Sequence, residues 1–137
     1  MALEAIAPVV ADPSAQKILP SEAEAGARAI VNLFDRWSVT DEQARAMLGH
    51  MSQRSWARWK AGEFGRINHD LATRLSLLLG IHKGIRYLFT DRQDGYRWIK
   101  KPNATFGGES ALDVLTQGSI FSLMRVRNYL DAERGGW

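Results

Sequence analysis

Ala44-Arg45-Ala46-Met47-Leu48-Gly49-His50-Met51-Ser52-Gln53-Arg54-Ser55-Trp56-Ala57-Arg58-Trp59-Lys60-Ala61-Gly62 is the stretch that decides the fold. Gly49 stops one helix, and Ser52 opens the next with a side chain suited to an N-cap. Trp56 and Trp59 lie three apart, so both face one side of that second helix. That side is the core, which turns Gln53, Arg54, Ala57 and Arg58 outward. Ala44 is small where two helices must cross closely. A short helix, a glycine turn and a second helix with a polar outer face make a helix-turn-helix.

Working outward, every flanking segment also reads as helix. Ser21-x-x-Glu24 has the form of a capping box, and Ala27, Ile30, Val31, Phe34 and Trp37 follow at three- and four-residue spacing. Thr40 and Gln43 form a second reciprocal pair before Ala44, Met47 and Leu48. Downstream, Asn68 opens a helix with Leu71, Leu75, Leu78 and Leu79, which Gly80 is expected to end, and another covers about Lys83 to Phe89. Asp91 to Gly95 reads as a polar hinge, and Tyr96 to Lys100 as a short helix stopped before Pro102. Ser110 and Ser119 cap the last two helices, with Gly118 between them. No strand pattern emerges, so the chain is all-α.

Composition sets the bounds. A chain of 137 residues holds one domain or two small ones on a shared core. It has no cysteine, which excludes disulfides and thiolate metal sites, and three scattered histidines make a metal centre improbable. No cofactor or metal is expected. No apolar run reaches the length of a membrane span, and the first residues lack a basic signal-like region, so a cytoplasmic protein without membrane contact is expected. The net charge of +3 is segregated: residues 1–27 carry −3, residues 28–90 carry +5 and residues 91–137 carry +1. The middle third is where a polyanion would be drawn. Three regions follow: a flexible arm at 1–20, with Pro8, Pro13 and Pro20 opposing a long helix; a helix-turn-helix domain at 21–90; and a C-terminal region at 91–137.

The outward face of the second helix carries chemistry suited to DNA. Arg54 and Arg58 have the fork that grips guanine, and Gln53 the amide that grips adenine. Ser52 and Lys60 sit at the helix ends, where phosphate contact is expected. The competing reading is a solvated basic face on a structural helix pair.

The C-terminal region joins Trp98, Pro102-Asn103, Phe106-Gly107-Gly108, Ser110, Leu112-Asp113 and Leu115, and its closing helix contains Tyr129-Leu130. With the helix pair, these residues resemble the antitoxins called Xre, MbcA and ParS, over about Ala29 to the C-terminus. The resemblance implies an Xre-like domain followed by a small helical toxin-binding region. It also implies a homodimer and a cognate RES-domain toxin that consumes NAD or transfers ADP-ribose from it. In such pairs the antitoxin's end blocks the NAD pocket, and many members repress their own operon, which implies operator DNA as a partner. Read from the residues themselves, Asn103 and Gly107-Gly108 make a tight reversal, and a helix–helix corner is its direct job. Ile120, Leu123, Met124, Val126, Tyr129 and Leu130 form a broad apolar face on the closing helix, with Ser122, Arg125 and Asn128 on the polar one. Val126, Tyr129 and Leu130 are assigned to toxin docking, with internal packing as the alternative. Arg134, Gly135, Gly136 and Trp137 are assigned to the toxin's pocket, with a frayed end as the alternative for Trp137.

Two functions of different kind remain: an antitoxin, or a stand-alone helix-turn-helix regulator whose C-terminal region only dimerises. An enzyme is not expected. His50, His69 and His82 fall on separate elements with no nucleophile at useful spacing, and no glycine-rich phosphate loop is present.

Overall fold

The computed structural model describes residues 20–135; the arm at 1–19, Gly136 and Trp137 lie outside the described residues. Seven α-helices and one 3₁₀ turn make up those residues. Helix α1 (Pro20–Trp37) begins one residue before the capping-box reading placed it, at a proline whose fixed φ suits a first helical position. Its buried face holds Ala27, Ile30, Leu33, Phe34 and Trp37.

Helices α2 (Asp41–Met47) and α3 (Gln53–Lys60) are the expected pair. Thr40 and Gln43 close a capping box, with Gln43 N–H donating to Thr40 Oγ1 at 3.0 Å and Thr40 N–H to Gln43 Oε1 at 2.9 Å. The turn between the helices needs two left-handed residues in succession, Gly49 at φ +80° and His50 at φ +61°. Only the first is a glycine, and a Cβ there would also press on the Arg74 guanidinium, with Nε 3.0 Å away.

Helix α4 (His69–Leu88), capped by Asn68, runs unbroken through Gly80. The expected stop at Gly80 and the separate helix from Lys83 are therefore corrected. Gly80 admits a neighbour instead of ending a helix. The Arg127 guanidinium occupies the space a Cβ would take, and at Gly84 a Cβ would lie 3.1 Å from Leu130 Cβ. This is where α7 (Ile120–Glu133) crosses α4, the most extensive helix pairing among the described residues. The expected hinge at Asp91–Gly95 is likewise the first half of a helix, α5 (Arg92–Lys100), capped by Asp91 Oδ1 accepting from Gln93 N–H at 2.9 Å. Gly95 is buried against α4, where a Cβ would meet Ile85 Cγ2 at 2.6 Å.

After α5 comes the reversal. Asn103 Oδ1 accepts from Thr105 N–H at 2.9 Å and opens a 3₁₀ turn (Ala104–Phe106). Gly107 and Gly108 then take φ +70° and +91°. Phe106 is driven inward, and a single antiparallel bridge pairs Pro102 with Ser110. Ser110 and Asp113 form a capping box at the start of α6 (Ala111–Leu115). The motif is thus a corner that seats an aromatic ring. Phe106 lies edge-on to Tyr129 at 5.3 Å, and Tyr129 stacks on Trp98 at 6.0 Å. One hydrophobic core continues from Ala27 to Leu130, so the C-terminal helices complete the helix-turn-helix core.

Candidate functional site

Two surfaces carry the chemistry, and the first is the outer face of α3. Trp56 and Trp59 are buried, as their spacing predicts, which leaves Ser52, Gln53, Arg54, Ala57, Arg58 and Lys60 exposed. Trp56 packs on Phe34 at 6.1 Å and Trp59 stands edge-on to Phe64 at 5.4 Å, so α3 is pinned along its inner side. Arg54 and Arg58, four apart, project from the same side with no ion pair among the described residues. Ser52 Oγ accepts from Ser55 N–H at 3.1 Å, which leaves its hydroxyl hydrogen to donate elsewhere.

Lys60 is more committed. Its ammonium lies 3.0 Å from Asp41 Oδ2, and Trp56 Nε1–H donates to Asp41 Oδ1 at 2.9 Å. The indole hydrogen bond first, and the Lys60 contact second, hold the Asp41 carboxyl below its ordinary value of 3.8. Asp41 thereby ties the start of α2 to the end of α3 and fixes the angle between them. A phosphate reaching Lys60 would share it with Asp41, and the pair is exposed enough for that exchange to cost little.

The second surface is α7, where the apolar assignment needs correcting. Val126 and Leu130 are fully buried against α4, and Tyr129 is half-buried in the aromatic cluster with Trp98 and Phe106. Val126 and Leu130 are therefore no docking face, and Leu130 fills the approach to Gly84; Tyr129, which keeps some exposure, holds the corner. Met124, grouped with the core face in the sequence, is exposed, whereas Ser122, grouped with the polar face, is buried. Ser122 tolerates burial because its hydroxyl donates to Gln117 Oε1 at 3.1 Å and lies 2.9 Å from Ser119 Oγ.

The outward side of α7 instead presents Phe121, Met124, Arg125 and Asn128, at positions i, i+3, i+4 and i+7. Phe121 is 81% exposed and Met124 40%, an apolar pair on open surface. Arg125 covers the Phe106 ring at 5.4 Å. Near the end of α7, Arg134 lies over the exposed Tyr87 ring at 4.9 Å, which anchors the segment that leads to Gly135. Gly136 and Trp137 lie outside the described residues.

A residue the sequence reading passed over joins the two surfaces. Arg74 is buried on α4; its Nε donates to Asp70 Oδ2 at 2.9 Å and its Nη1 to the Gly118 carbonyl at 2.6 Å and the Met47 carbonyl at 3.4 Å. Among the described residues no group of three or more His, Asp or Glu side chains could hold a metal ion. No helix among them is long and apolar enough to cross a membrane.

A helix-turn-helix with a solvent-facing basic helix, sharing its core with a second helical module that leaves an apolar pair on its surface, belongs to the class of DNA-binding-type proteins with a partner-binding extension. The comparisons narrow that class. Residues 18–80 match the antitoxin Xre-like helix-turn-helix domain, and residues 86–136 match the antitoxin Xre/MbcA/ParS C-terminal toxin-binding domain. The chain belongs to this antitoxin family. It is also 39% identical over 118 residues to the uncharacterized protein y4oB of Sinorhizobium fredii (strain NBRC 101917 / NGR234), covering 86% of this chain and 88% of that protein.

Proposed function

We propose that this antitoxin neutralises a RES-domain toxin, docking it through the outer face of α7 and occluding its NAD pocket with residues 134–137. The exposure of Phe121 within the matched toxin-binding region carries the reading. A large aromatic side chain left in water beside Met124 is the kind of anchor around which interfaces form. Tyr129 contributes from beneath, by holding the corner under Arg125. Arg134 and Gly135 follow the end of α7, and Gly136 and Trp137 are assigned to the pocket, a flat indole ring suiting a dinucleotide slot. The protein acts by binding, in the cytoplasm, as a homodimer, with residues 21–90 as the DNA domain and residues 91–137 as the toxin-binding region.

The same chain represses its own operon through α3, with Arg54, Arg58 and Gln53 at base edges and Ser52 and Lys60 at phosphates. Co-expression with the product of the neighbouring reading frame tests the first role: that product should be a RES-domain protein, and the two should co-purify through an affinity tag on either. Failure of the pair to associate, with the chain still self-associating, would favour a regulator whose C-terminal region serves only for dimerisation. A mobility shift with the operon's promoter at low salt tests the second role.

A further inference from the structure

An open cleft of about 640 Å³ lies where the end of α1 meets α5, and Arg36, Trp37, Ser38, Arg97, Lys100 and Lys101 are among the residues that line it. Its charge is uneven. Arg97 pairs with Asp94, while Arg36 and Lys101 have no ion pair among the described residues. Among the described residues Lys100 donates to the uncharged Ser38 carbonyl, at 3.3 Å, and has no ion pair. Basic residues at helix C-termini often do no more than offset the helix dipole, and α1 and α5 both end here. Two such ends supply roughly one negative charge together. Four cations less one carboxylate exceed that, so the cleft keeps a net positive charge.

The surrounding field has the same sign. His82 on α4 is held below its ordinary value of 6.5, by burial first and then by Arg86, Arg36 and Arg92, of which Arg36 lines the cleft. The chain's charge pattern agrees: Arg92, Arg97, Lys100 and Lys101 crowd into residues 91–101 against only Asp91 and Asp94, whereas residues 102–137 carry more acids than bases. The C-terminal region therefore places its positive charge next to the helix-turn-helix.

Position decides which anion. Ser38 stands two residues before Thr40, the cap of α2, which limits their separation to about 8 Å. In a helix-turn-helix the first helix of the pair crosses the DNA backbone while the second enters the groove. The cleft thus borders the helix that meets the backbone.

We propose that this cleft is a backbone-phosphate clamp, in which Arg36, Arg97, Lys100 and Lys101 neutralise phosphates of the DNA gripped by α3. The region matched as toxin-binding then contributes directly to DNA affinity. The proposal rests on the DNA-binding role given above.

The test compares the full chain with Lys100→Gln/Lys101→Gln and with Lys100→Arg/Lys101→Arg by fluorescence anisotropy, over a salt series. Each is titrated with the promoter duplex and with an unrelated duplex of equal length. The Gln pair should weaken both duplexes by a similar factor, tenfold or more at low salt, and flatten the slope of log K against log salt by about 2. The Arg pair should retain affinity and slope. If the unaltered chain binds neither duplex, the DNA-binding reading itself fails. If it binds and the Gln pair matches it in affinity and slope, the clamp alone is refuted. Loss of toxin binding by the Gln pair, with DNA binding intact, would assign the cleft to an acidic protein surface and overturn the proposal.

Discussion

The guanidinium of Arg74 donates to the carbonyl of Gly118 at 2.6 Å, joining the second turn of α4 to the turn between α6 and α7. The same group supports the helix-turn-helix turn, through the Met47 carbonyl at 3.4 Å and contact beneath Gly49. His50 in that turn also rests on Gly118. The turn of the helix-turn-helix and the turn between α6 and α7 therefore share one buried cation. Arg74→Ala should cost about 3 kcal/mol, since hydrogen bonds to a charged group contribute about 1.5–3 kcal/mol and buried carbonyls lose a donor. Chemical denaturation measures it, and a loss below about 1 kcal/mol would show that the two modules hold together without Arg74.

Trp56 and Trp59 sit on α3, the helix proposed to enter DNA, yet work from inside. Truncating either to Ala should cost about 3–5 kcal/mol, as for other buried large aromatics. For Trp56 the loss also releases Asp41, whose carboxyl would then move back toward its ordinary range. An unchanged melting temperature would mean that the outer face of α3 has been assigned to the wrong side.

The two sides of α7 should separate stability from recognition. Val126→Ala and Leu130→Ala should destabilise the fold, Leu130→Ala by about 2–5 kcal/mol, because both side chains are fully buried. Phe121→Ala and Met124→Ala should leave the melting temperature within a degree or two and weaken toxin binding, Phe121→Ala by tenfold or more. Equal toxin binding by the Phe121 variant, measured by calorimetry, would remove the outer face as the docking site.

Stability should fall as the solution is acidified below the ordinary histidine value of 6.5, and His82 supplies the reason. Burial and the neighbouring Arg86, Arg36 and Arg92 disfavour its cation in the folded state, so the unfolded chain binds the extra proton first. The contribution is complete above that value and declines as pH drops through it toward the lower folded value. Thermal melts between pH 7.5 and 5.5 should show a smaller decline for His82→Gln than for the natural chain. Parallel curves would exclude His82 as the source.

The helix-turn-helix was legible because its signals are local. Gly49 and Ser52 punctuate within a few residues of Trp56 and Trp59, whose spacing fixes the rotation of α3. Gly80 and Gly95 misled for the converse reason. A glycine that ends a helix and one that admits a crossing helix look alike until Arg127 or Ile85 is in place beside it. Arg74 was invisible as an anchor because its carbonyl partners lie 27 and 44 residues away. On α7, apolar residues occupy both the inner and outer sides, so periodicity alone could not say which were covered. Only packing against α4 separates Leu123, Val126 and Leu130 from Phe121 and Met124.

Inhibition of a RES-domain toxin is read out by NAD turnover of that purified toxin as this chain is titrated in. Turnover should fall to background near stoichiometric addition. A chain truncated after Glu133 should still bind the toxin but inhibit it much less. Undiminished NAD turnover in the presence of excess full-length chain would rule out the proposed inhibition.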